Sequence, residues 1–124
     1  MLEKFIEHKA ELYDLYTKKF NEHGLELVSF REDTRSNKWF FSVIWRIEYG
    51  MDRHQLMREL KDEGIETRPV WGLIHEQKPY LHCLHGDLNK SMYYKDCIVN
   101  IPCSTSLTLE EAEYVAEEIC KRKG

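Results

Sequence analysis

The chain of 124 residues has room for one domain, and with 42% apolar and 32% charged residues its composition is that of a folded globular protein and excludes a disordered tail. A formal charge of −4 argues against a nucleic-acid-binding surface; the one dense basic run, Lys121-Arg122-Lys123, suits the last turn of a helix, where it complements the macrodipole. No apolar run is long enough to cross a membrane, and Met1-Leu2-Glu3-Lys4 leads into an amphipathic stretch. The four cysteines (Cys83, Cys97, Cys103, Cys120) show no C-x-x-C spacing, so reduced thiols and a cytoplasmic location are expected.

The chain opens on a helix. Leu2, Phe5, Ile6, Leu12, Tyr13, Tyr16 and Phe20 share one face, and Gly24 supplies a left-handed stop. Leu25 to Phe30 reads as a short strand and Arg31 to Lys38 as a loop. Trp39 to Glu48 gives the clearest strand pattern, with Trp39, Phe41, Val43, Trp45 and Ile47 on one face and Phe40, Ser42, Ile44, Arg46 and Glu48 on the other. Trp39 is assigned to the core, although at the mouth of the strand it can also reach a cleft.

Asp52 and Gln55 have capping-box spacing ahead of a helix that turns Leu56, Met57 and Leu60 inward and ends at Gly64. Ile65 to Trp71 is extended, because Pro69 disfavours a helical Arg68. Gly72 to Gly86 is a long loop with local turns, Leu88 to Tyr94 a short helix, and Ile98 to Ile101 a strand that Pro102 terminates. Thr108 and Glu111 form a second capping box, before a last helix with Leu109, Ala112, Val115, Ala116 and Ile119 on its buried side. The order implies an α+β fold: a small antiparallel or mixed sheet packed against helices, as one domain over 1–124.

Chemistry concentrates between Gly64 and Tyr80. Arg68 can bind carboxylate or phosphate oxygens through paired hydrogen bonds, and Trp71 and Tyr80 offer flat faces that could cover a sugar or a base. The plainer alternative has Trp71 and Tyr80 in the core and Arg68 in a surface ion pair.

Gly64-Ile65-Glu66-Thr67-Arg68-Pro69-Val70-Trp71, followed by His75 and then Lys78-Pro79-Tyr80, resembles the C-terminal signature of the sugar-nucleotide aminotransferases of the DegT/StrS group. Asn37-Lys38-Trp39-Phe40-Phe41 resembles a strand of the same family, and Ile98-Val99-Asn100-Ile101-Pro102-Cys103-Ser104-Thr105-Ser106-Leu107-Thr108 is similar to its closing strand and capped last helix. One departure stands out. The family places a proline before the hydrophobic-His pair, whereas here Gly72-Leu73-Ile74-His75 follows Trp71, which leaves that backbone looser.

The resemblance implies the small C-terminal domain of a fold-type I aminotransferase. Its large domain would hold pyridoxal phosphate on a Schiff-base lysine and would form the homodimer, and an amino-acid donor would supply nitrogen to a nucleotide-linked keto-sugar. The substrate-binding residues it implies are Arg68, Trp71, His75 and Asn37. No lysine here has the Gly-rich setting of the cofactor lysine, and no Gly/Ser-rich phosphate cradle precedes a helix. The catalytic half, the large domain, is thus expected to be absent, Met1 to be a truncated start, and the chain alone to bind no cofactor and to be inactive. Two other readings stay open. One is a stand-alone interaction or regulatory module on the same scaffold. The other is a metal module built from His75, His82, Cys83 and His85 with Cys97 or Cys103.

Overall fold

The computed structural model describes residues 1–124. Helix α1 (Leu2–Glu22) leads into strand β1 (Glu26–Leu27), strand β2 (Phe41–Ile44) and helix α2 (Arg53–Asp62). Strand β3 (Arg68–Pro69), helix α3 (Asn89–Cys97), strand β4 (Ile98–Ile101) and helix α4 (Leu109–Lys121) follow. The four strands form one antiparallel sheet in the order β1-β2-β4-β3. No helix is long and apolar enough to cross a membrane.

One face of the sheet carries the core. Phe41, Val43 and Trp45 alternate with outward residues, Val99 and Ile101 stand opposite them on β4, and all five are buried. Onto them pack Leu12, Tyr16 and Phe20 of α1, Leu56 and Leu60 of α2, and Ala112, Val115, Ala116 and Ile119 of α4. Two helix ends are built alike. Gly24 at φ +68° and Gly64 at φ +80° take the left-handed turn, and the next N–H returns to the helix, from Leu25 to Phe20 and from Ile65 to Leu60, each at 2.8 Å. Each turn delivers its apolar residue, Leu25 or Ile65, into the core.

The strand expected over Trp39–Glu48 is shorter at both ends. Its ladder holds only the four residues that face Ile98–Ile101. Upstream, the Trp39 carbonyl is taken by the Lys9 ammonium at 2.9 Å and by the Cys103 thiol at 3.3 Å, and Trp39 stands 65% exposed, not in the core. Downstream, Ile47–Tyr49 turn into a 3-10 helix, which leaves Ile47 in solvent. Leu2 and Phe5 on α1 and Leu109 on α4 are likewise exposed, since the core ends before them. Of the two capping boxes, that of Thr108 and Glu111 is complete. That of Asp52 and Gln55 is half made, because the Gln55 amide turns to Glu59 at 3.0 Å.

Candidate functional site

The face of the sheet turned away from the three helices carries polar residues on adjoining strands. Register sets Ser42 opposite Asn100 and Asn100 opposite Arg68, so the three side chains leave the sheet on one side. Ser42 donates to the Asn100 amide oxygen at 2.6 Å. Pro69 can follow Arg68 because β3 is an edge strand, where a missing N–H costs no ladder bond.

Beyond this row lies an open groove of about 660 Å³ that includes Phe40, Arg68, Trp71, Asn100, Pro102 and Cys103. The Arg68 guanidinium is 77% exposed and lies 3.6 Å from the Glu66 carboxylate. An ion pair this exposed contributes little, and a ligand carboxylate or phosphate can replace Glu66. Trp71, 68% exposed, meets Phe40 edge-on at 5.6 Å, and Phe40 stacks on Trp39 at 4.6 Å. The plain reading of Trp71 and Tyr80 as core is thereby corrected, because neither reaches the apolar layer under the helices. The walls of the groove are held from the far side of the molecule. The Lys9 ammonium binds the carbonyls of both Trp39 and Cys103, and the Tyr16 hydroxyl donates to the Pro102 carbonyl at 2.9 Å.

His75 occupies a neighbouring hollow of about 530 Å³ with Ile74, Tyr80, Cys83, Leu84 and His85. Trp71 lines both hollows and is the wall between them. Asn37 lines neither. It is exposed, and its amide oxygen accepts from the Trp39 N–H at 3.2 Å in a turn just before Lys38, whose φ is +51°. The structure therefore brings Arg68 and Trp71 together, sets His75 next door and leaves Asn37 apart. Phe40, Asn100 and Cys103 are groove residues that the sequence does not mark for substrate binding. The signal for Asn100 was present: it is the lone polar residue in Ile98–Ile101.

Two expectations about bound groups can be tested on these hollows. The groove, the hollow beside it and the 390 Å³ pocket at the N-terminus of α2 do not fit pyridoxal phosphate, because no lysine lines them; lysines line two other hollows, Lys61 one between α2 and β3, and Lys19 and Lys121 one beside α4. For a metal, His75 and His85 do approach, their rings 4.7 Å apart. No third ligand joins them, so the set with His82, Cys83 and Cys97 or Cys103 is not assembled.

An open four-stranded antiparallel sheet with helices on one side and a groove on the other defines an α+β domain. The solved structures similar to it include DesI, determined with its TDP-sugar product (20% identical, TM-score 0.84, covering 94% of this chain and 30% of that one). Another is PseC of Helicobacter pylori, an aminotransferase of pseudoaminic acid biosynthesis (14% identical, TM-score 0.83, covering 95% and 32%). The model of the DegT/DnrJ/EryC1/StrS aminotransferase family matches residues 1–120, and the chain belongs to that family. GDP-perosamine synthase of Escherichia coli O157:H7 is 29% identical over an alignment of 123 positions that covers 93% of this chain and 30% of the relative. The chain thus spans about 30% of the length of that relative.

Proposed function

We propose that this chain is the C-terminal small domain of a pyridoxal-phosphate-dependent aminotransferase that acts on a nucleotide-linked keto-sugar, and that by itself it is catalytically silent. The observation that carries the reading is the match of residues 1–120 to the family beside a coverage of only 30% of a relative, together with a groove that holds an arginine and a tryptophan but no lysine. GDP-perosamine synthase and DesI support the nucleotide-sugar substrate class by the nucleotide-sugar products that their names give.

In the whole enzyme the cofactor, bound by the large domain, supplies the electron sink for moving an amino group. This chain supplies binding and orientation. Arg68 pairs with a carboxylate or phosphate oxygen in place of Glu66, Trp71 and Phe40 form an aromatic wall against the sugar or base, and His75 hydrogen-bonds from the adjoining hollow. Asn37 is the weakest of the proposed contacts, because its amide oxygen already serves the turn before β2.

The test uses the chain as it stands. Titrated with pyridoxal phosphate, reduced with borohydride and mapped by mass spectrometry, it is expected to give no stoichiometric adduct and no transamination of a keto-sugar nucleotide. A single lysine labelled at one equivalent, with its own visible absorbance, overturns the proposal.

A further inference from the structure

We propose that a second groove, between α2 and β3, is an oxyanion site for a phosphate-class ligand, in particular a diphosphate. It encloses about 290 Å³. His54, Arg58 and Lys61 line one wall at helical spacing on a single face of α2, and Thr67 and Arg68 line the other. Three permanent cations therefore face one acid, Glu66, whose carboxylate lies 3.6 Å from Arg68. In a chain of net charge −4 this is a local reversal of sign.

Two further observations single the groove out. Among the seven arginines, Arg58 alone makes neither an ion pair nor a side-chain hydrogen bond. The other six bind carboxylates or carbonyls. Lys61, like most of the lysines, has no carboxylate within ion-pair distance, so its charge too is free for a ligand. The second observation is Thr67, whose hydroxyl oxygen is shut off from solvent without any hydrogen-bond partner. Thr67 is a residue of the groove wall, so a donor without a partner stands beside the three cations. A guanidinium fork, an ammonium and a hydroxyl on facing walls match the several acceptor oxygens of a diphosphate better than a single carboxylate. The site shares Glu66 and Arg68 with the groove on the sheet face, and it does not depend on the aminotransferase reading.

The experiment follows backbone amide resonances of the full 124-residue chain during titration with inorganic pyrophosphate at low salt. Saturable shifts confined to residues 54–61 and 66–68 are expected, with affinity that falls as sodium chloride rises. The double variant Arg58→Glu, Lys61→Glu is expected to weaken binding at least about tenfold. Lys18→Glu, Lys90→Glu makes the same change of charge at two exposed lysines elsewhere and is expected to leave binding within about twofold. Parallel titrations with inorganic phosphate and with a nucleoside diphosphate separate the sources. A nucleoside diphosphate that binds more tightly than pyrophosphate marks a nucleotide ligand, and equal affinity marks a free diphosphate; both support the site. Absence of saturable shifts at these amides, or an equal loss in the Lys18/Lys90 variant, overturns it.

Discussion

Three tryptophans divide by environment in a way that reports on the whole arrangement. Trp45 is buried against Tyr49, and its indole N–H donates to the Met51 carbonyl at 3.0 Å, so its one polar atom is satisfied inside the core. Trp39 and Trp71 stand on the open side with Phe40 between them. Acrylamide quenching of the native chain is therefore expected to be biphasic, with one protected tryptophan and two accessible ones, and Trp45→Phe should remove the protected component. If two tryptophans were protected, Trp39 would belong to the core after all. Trp39 also shows why alternation misleads at a strand end. The period of two continues through it, but its carbonyl is already bound to Lys9 and Cys103, and the ladder stops.

At the scale of elements, the terminal helix depends on its ends. Thr108 accepts from the Glu111 N–H at 3.1 Å while the Glu111 carboxylate accepts from the Thr108 N–H at 2.8 Å. Thr108→Ala should cost about 1 kcal/mol in denaturant unfolding, with an unchanged m-value. At the other end, Glu118 is buried and joins Lys121 at 2.6 Å and Arg122 at 2.9 Å, while Arg122 reaches across to Glu59 on α2 at 3.1 Å. Hydrogen bonds from Lys121 and Arg122 hold the Glu118 carboxyl below the usual glutamate range. A carboxyl lowered on folding stabilises the fold above its unfolded value, and that contribution fades as pH falls through the folded one. Thermal melts should show a steeper acid loss for the native chain than for Glu118→Gln, and parallel acid limbs would refute the linkage. Both capping boxes were legible as i, i+3 spacings. Only the contacts decide whether the second half forms, and Glu59 draws the Gln55 amide away.

At the scale of the molecule, α1, α2 and α4 cover one sheet face, and the other face is left to Arg68, Asn100, Trp71 and Phe40. In the complete aminotransferase proposed above, Trp71→Ala should reduce nucleotide-sugar turnover by about tenfold or more while cofactor affinity changes less than about twofold. Equal losses in steady-state kinetics and in cofactor titration would mean that Trp71 only supports the fold.

The sequence alone determined the helices, their stops and the family signature, because these rest on local rules: apolar residues at helical spacing, glycines at left-handed turns, and Gly64–Trp71 read as a continuous motif. Tertiary structure alone decided which aromatic residues face water and which groups meet. Arg68 joins Asn100 through a pairing that closes a loop of more than thirty residues, and Arg58 joins Thr67 across a helix and a turn. Such meetings depend on strand register and on the direction each element takes after it packs. No local pattern in the chain encodes either.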